Sequence, residues 1–256
     1  MTQAQTVSAR DIELLDTFNL RDLGGYRTVD GRRVRWRTLF RGAALHRLGG
    51  GDLDAVRALG IVTAIDLRTR GELTAHGGYP TGALPARFHH LPMIDRVWDL
   101  SEAMRASAPP PEHYLMARYR EMLDEGAGTI ATAVEILSDR KHLPAVFYCA
   151  AGKDRTGVLA ALLLDAIGVR GDEIVADYHL SKERVERIRA RAAAADPNST
   201  MITQPPAFMQ APAEAMALLL ERIHSEFGGT AAYLQGIGVP CAVITRLADA
   251  LLEADD

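Results

Sequence analysis

Cys149 and Arg155 are the residues best suited to chemistry, because a thiol and a guanidinium stand six positions apart in Cys149-Ala150-Ala151-Gly152-Lys153-Asp154-Arg155. The apolar stretch ending at Tyr148 reads as a strand, and a strongly apolar helix through Val158 and Leu164 begins near Arg155. Such a strand delivers Cys149 to the carboxyl edge of a sheet, where α/β proteins place ligands. Ala150, Ala151 and Gly152 are small, so their amides can turn around one anion, and the start of the helix adds donors and partial positive charge. The pattern predicts a phosphate-sized nest with a thiol at its floor. The same field, with Lys153 and Arg155, favours the thiolate, which is the attacking species. Arg155 can hold two phosphoryl oxygens bidentately and hold them harder as they spread in the transition state. Lysine lacks that planar fork. Thr156 is placed to hydrogen-bond the thiolate as it leaves a phosphoenzyme.

The elements that must position this loop read as an α/β layer. Strands are expected at Ile61 to Leu67, Phe88 to Leu91 and Ala145 to Tyr148, with helical patterns near the first and third. This favours a mainly parallel sheet flanked by helices. Asp52 is expected to cap a short helix running to Leu59. Amphipathic helices are expected over Glu112 to Leu123 and Thr129 to Leu137, separated by Gly126-Ala127-Gly128. The helix after the loop should end at Ile167 before Gly168 and lie buried. One long helix is expected from Gly171 to Ala195, with the charges of Lys182 to Arg191 on a solvated face. Asp196 to Pro212, with four prolines, reads as a connector, and two helices follow at Ala213 to Phe227 and Val239 to Leu252. The whole of 1–256 is expected to form a single domain. Within it, 182–227 is a candidate helical lid or insertion, for which Met201, Ile202, Phe208 and Met209 would be apolar contacts.

Cys149-x5-Arg155-Thr156-Gly157 is similar to the signature of the protein tyrosine phosphatase superfamily. The fuller string from Ala151 to Gly157 resembles the bacterial tyrosine and dual-specificity phosphatases of the mycobacterial PtpB type. Asn19-Leu20-Arg21-Asp22-Leu23-Gly24-Gly25, Leu39-Phe40-Arg41-Gly42, Asp66-Leu67-Arg68 and Asp177-Tyr178-His179-Leu180-Ser181 resemble that family in the same order. The resemblance implies a metal-independent phosphomonoesterase with a phosphocysteine intermediate and no cofactor. The resemblance further implies phosphotyrosine as substrate, with phosphoserine, phosphothreonine or phosphoinositides as candidate extensions. Ala150, Ala151, Gly152, Lys153 and Thr156 would then bind substrate, and a second cation at Lys153 suits polyanionic headgroups. The alternative is a catalytically weak or inactive phosphate-binding relative, because Tyr148 stands where the family has histidine.

A leaving alkoxide needs a proton, and the resemblance places the acid at Asp154. Asp95 is the other candidate. Asp66 would orient Arg155 or the acid, or pair with an arginine structurally. Arg21 and Asp22 would brace the loop. Trp98-Asp99 lacks the proline of the Trp-Pro-Asp acid loop. A nucleotide P-loop fails, because Phe147 and Asp154 occupy its required glycine and Ser/Thr positions. Adjacent His89 and His90 point to opposite faces of a strand and predict no metal site. A sulfurtransferase loop would not require the arginine. Cys241 is expected to be a core thiol, and two cysteines make no disulfide framework. The net charge of −4 gives no reason to expect a nucleic-acid partner. The longest apolar run, Val158 to Leu164, is too short to insert stably in a membrane. Met1 to Asp16 lacks the apolar core of a signal peptide, so a cytoplasmic protein is expected, with export by a signal-less route left open.

Overall fold

The computed structural model describes residues 9–96, 109–195 and 210–254. In chain order these contain β1 (Arg21–Asp22), β2 (Arg32–Val34), β3 (Leu39–Ala43), α1 (Gly50–Arg57), β4 (Thr63–Asp66), α2 (Arg70–His76) and β5 (Arg87–His90). Then come α3 (Pro111–Glu125), α4 (Ala127–Leu137), β6 (Ala145–Cys149), α5 (Asp154–Ala166), α6 (Gly171–His179) and α7 (Ser181–Ala195). The last described part holds α8 (Ala213–Phe227), α9 (Thr230–Gly236), α10 (Cys241–Leu251) and β7 (Leu252–Ala254). Trp98-Asp99 and the stretch 196–209, with its four apolar candidates, lie outside the described residues.

The main sheet has the order β1-β3-β6-β4-β5. β3, β6, β4 and β5 run parallel, and β1 pairs antiparallel with β3. The expected mainly parallel sheet flanked by helices is therefore present. Every residue of β6 is buried, as an uninterrupted apolar run in a central parallel strand requires. Alternation along β6 divides the core in two. Phe147 and Cys149 join the larger cluster with α3, α4, α5, α8 and α10, while Val146 and Tyr148 join a smaller one with Leu45, Val56 and Tyr79. Because β6 sits between β3 and β4, the loop leaving it emerges at the centre of the carboxyl edge. α5 follows with Thr156 through Leu164 all buried, so the helix behind the loop is an internal strut.

Three expectations are corrected. Gly49 caps α1, while Asp52 lies in the first turn, buried, and its carboxylate accepts from the Leu15 and Asp16 amides. The helix expected from Gly171 to Ala195 is two helices meeting at Leu180, where Ser181 Oγ takes bonds from Arg21 and Asn19. Serine's competition for local hydrogen bonds makes it a poor interior helix residue. Cys241 is exposed at the first position of α10, not a core thiol. An additional helix, α9, and strand β7, paired with β2, were not expected. Of the 182–227 stretch, α8 buries Ala215, Met216, Leu219 and Ile223 in the larger core.

Candidate active site

β6 delivers Cys149 with only 2% of its surface exposed, and α5 starts at Asp154, so the chain must reverse within four residues. Gly152 makes this possible. Its φ is +67°, and a Cβ there would lie 2.4 Å from the carbonyl carbon and oxygen of Gly42 and 2.6 Å from Ala43 N. These neighbours are backbone and cannot swing aside. Gly152→Ala should therefore cost about 2 kcal/mol or more of stability and most of the activity. Urea unfolding with a parallel turnover assay checks this, and a near-neutral result would mean that the loop and β3 can separate cheaply.

Surrounding groups hold the loop's carbonyls from outside. Ala44 N donates to Ala150 O at 3.2 Å, and Asn19 Nδ2 donates to the carbonyls of Ala151 and Gly152 at 3.0 Å each. Arg41 Nη2 donates to Gly152 O at 2.9 Å. In a trans peptide the N–H points opposite the C=O, so the amides of Ala151, Gly152 and Lys153 turn to the concave side. The clamp is itself anchored by Asp177, fully buried on α6. Asp177 accepts from Arg21 Nε at 2.8 Å, Arg41 Nη1 at 2.5 Å and Tyr26 Oη at 3.0 Å. Burial pushes its carboxyl up, but Arg21 and Arg41 outweigh this and hold it well below the usual range. Burial and the charge of Arg21 bring Arg41 down to about 10. Arg21 thus braces the loop through Asp177 and Asn19. Asp22 serves the neighbouring turn instead, accepting from the amides of Gly24 and Arg37.

Arg155 is oriented by Glu72, a residue the sequence reading missed. Its Nη1 and Nη2 donate to Glu72 Oε2 and Oε1 at 2.6 and 3.0 Å. Burial raises the Glu72 pKa, yet Arg155 and the Thr69 bonds bring it down to about 2. Burial opposes the charge of Arg155, and the Cys149 and Glu72 charges overcome it, raising Arg155 above its usual value. Asp66 does not orient Arg155. It is fully buried and pairs with Arg68, at 2.6 Å from Nη2. Asp95 is about half-exposed and pairs with Arg70, Nε lying 3.2 Å from Oδ2.

Asp154 opens α5 with its side chain 17% exposed; its Oδ1 accepts from Tyr119 Oη at 2.7 Å and pairs with the Lys153 ammonium, Nζ lying 3.0 Å away. Lys153 is buried, and its ammonium also donates to the Gln210 carbonyl at 2.8 Å. Thr156 Oγ1 is buried without a hydrogen-bond partner in the protein. Tyr148 lies in the smaller core, on the sheet face opposite Cys149. Burial and then the Asp66 charge push its phenol far above the usual value. Among the described residues no group of three or more His, Cys, Asp or Glu side chains is placed to hold a metal ion. No helix among them is long and apolar enough to cross a membrane.

Residues 12–253 match the model of the tyrosine phosphatase family. A Cupriavidus necator protein provisionally named a tyrosine-protein phosphatase is 35% identical over 195 residues, covering 71% of this chain and 67% of that protein. The triple specificity protein phosphatase PtpB of Mycobacterium tuberculosis is 27% identical over 284 residues, 94% of this chain and 98% of its own. The solved structure of P. aeruginosa TpbA aligns with 60% of this chain and 77% of that one, at 17% identity and a TM-score of 0.30.

Proposed function

The chain belongs to the tyrosine phosphatase family, and from that premise we propose that Cys149 is the nucleophile, Arg155 the phosphate clamp and Asp154 the acid of its phosphatase reaction. The observation that carries the reading is the loop clamp, in which Asn19 and Arg41 hold carbonyls outward around a buried thiol. The thiolate sulfur attacks phosphorus, the bond to the leaving oxygen breaks, and Asp154 gives that oxygen its proton. Water then attacks the phosphocysteine, the sulfur leaves as thiolate, and the Asp154 carboxylate takes the water's proton. Glu72 engages two donors of Arg155, and the Nε edge is the face we assign to the phosphoryl oxygens. Thr156 Oγ1, unpartnered in the protein, would donate to the departing thiolate.

Phosphotyrosine is the substrate class we assign first. The breadth stated in the name of the mycobacterial relative supports extending it to phosphoserine, phosphothreonine or phosphoinositides. Lys153 adds charge from behind the loop, since its ammonium is buried against Asp154 and Gln210. A panel of phosphotyrosine peptide, phosphoserine peptide and phosphoinositide, assayed without added metal, tests the range. Binding of phosphate without turnover on any of them would favour the binding-only reading. For the acid, Asp154→Asn should lower turnover of esters with poor leaving groups by on the order of 100-fold and leave p-nitrophenyl phosphate much less affected. An equal loss on both would remove Asp154 from the role.

A further inference from the structure

Asp154 lies at the end of a buried chain of hydroxyls. Tyr119, on α3, is wholly buried and donates to Asp154 Oδ1 at 2.7 Å. Its own oxygen lies 2.5 Å from Tyr178 Oη, on α6. Because Tyr119 has one proton and donates it in the bond to Asp154 Oδ1, Tyr178 is the donor in the second bond. The rings meet edge to face, with centroids 6.0 Å apart. The Tyr178 ring in turn packs on the first turn of α5, where a Cβ on Gly157 would lie 3.0 Å from its Cδ2. Burial, and then the Asp154 charge, hold the Tyr119 phenol well above its usual value, so it stays a neutral donor.

We propose that Tyr119, backed by Tyr178, is the positioning residue for the acid, fixing the Asp154 carboxyl so that Oδ2 carries the transferable proton. This rests on the assignment of Asp154 as the acid. Tyr119 donates to Oδ1 and the Lys153 ammonium lies 3.0 Å from it, so a proton on that oxygen would face a donor and a positive charge. The protonated acid must therefore carry it on Oδ2. Tyr119 touches neither the leaving oxygen nor the phosphorus in this scheme. It acts by holding the carboxyl in one rotamer, which a charged ammonium on a flexible stem does less sharply.

The test compares Tyr119→Phe, Asp154→Asn and the double variant on phenyl phosphate, a poor leaving group, and p-nitrophenyl phosphate, a good one. Tyr119→Phe should lower phenyl phosphate turnover on the order of tenfold and change p-nitrophenyl phosphate turnover by less than about twofold. The double variant should be no slower on phenyl phosphate than Asp154→Asn alone, since an acid that is absent cannot be mispositioned. Additive losses, equal losses on both esters, or no loss on either would overturn the proposal. If Asp154→Asn itself shows no leaving-group dependence, the acid assignment has failed and the proposal falls with it. If Asp154→Asn shows it and Tyr119→Phe does not, only the positioning role has failed. Should Tyr119→Phe unfold, Tyr178→Phe removes the second donor while leaving the bond to Asp154, and it should show the same selectivity at smaller amplitude.

Discussion

Cys149→Ser should leave a folded protein whose turnover falls by on the order of 10⁴-fold or more. The expectation comes from what the loop is built to stabilise. The helix start, the inward amides and the Arg155 guanidinium favour a negatively charged nucleophile, which sulfur supplies far more readily than a serine hydroxyl with no adjacent base. The side chain is 2% exposed and differs from serine by one atom, so the packing around it is nearly unchanged. The nest should survive, because its clamps reach carbonyls of Ala150, Ala151 and Gly152 and none of them involves sulfur. Binding of inorganic phosphate by calorimetry should therefore persist while p-nitrophenyl phosphate turnover disappears. A loss below about tenfold would move the nucleophile elsewhere, and loss of phosphate binding together with turnover would show that the sulfur holds the loop open.

What could be read in advance depended on whether a residue's reason for being there is local. β4, β5 and β6 fall within the stretches Ile61 to Leu67, Phe88 to Leu91 and Ala145 to Tyr148 that read as strands, and α5 was legible from its nearly continuous apolar run. β3 was noticed only as a block of family-like residues. Its five residues are all buried, yet Arg41 and Gly42 stand in its middle and break the apolar pattern. The explanation is distant: Arg41 is neutralised by Asp177, 136 positions along the chain. Glu72 failed in a different way. Thr69-x-x-Glu72 forms a capping box at the start of α2, which gives Glu72 a sufficient local role. The same Oε2 that accepts from Thr69 N also accepts from Arg155, and nothing nearby in sequence announces that second partner. The loop from Cys149 to Arg155 was legible because its residues are consecutive. Its supports were not, because each is a pairing across the fold.

Those supports give the second large expected effect. Asp177→Asn should destabilise the protein by about 3–5 kcal/mol, lowering the melting temperature by roughly 10 °C. Asp177 is the counter-charge of Arg21 and Arg41, both fully buried, and the variant leaves two guanidinium groups in the interior without it. The loss should exceed that of removing one exposed pair such as Arg32–Asp30, whose members are 42% and 51% exposed. The effect also has a pH signature. Arg21 and Arg41 hold the Asp177 carboxyl below its unfolded value, so its contribution is complete above the unfolded pKa and is lost as pH falls through the folded one. The stability gap between wild type and Asp177→Asn should be constant near neutrality and narrow below about pH 4. Activity measured well below both melting temperatures should fall as well, because Arg41 then loses the anchor that aims its Nη2 at Gly152 O. A variant within about 1 kcal/mol of wild type would mean that the two arginines find water or other acceptors. A variant that is destabilised but fully active would mean that Asn19 and the Ala44 amide suffice to hold the loop's carbonyls outward, and the clamp would then be assigned to them and not to the buried ion pair.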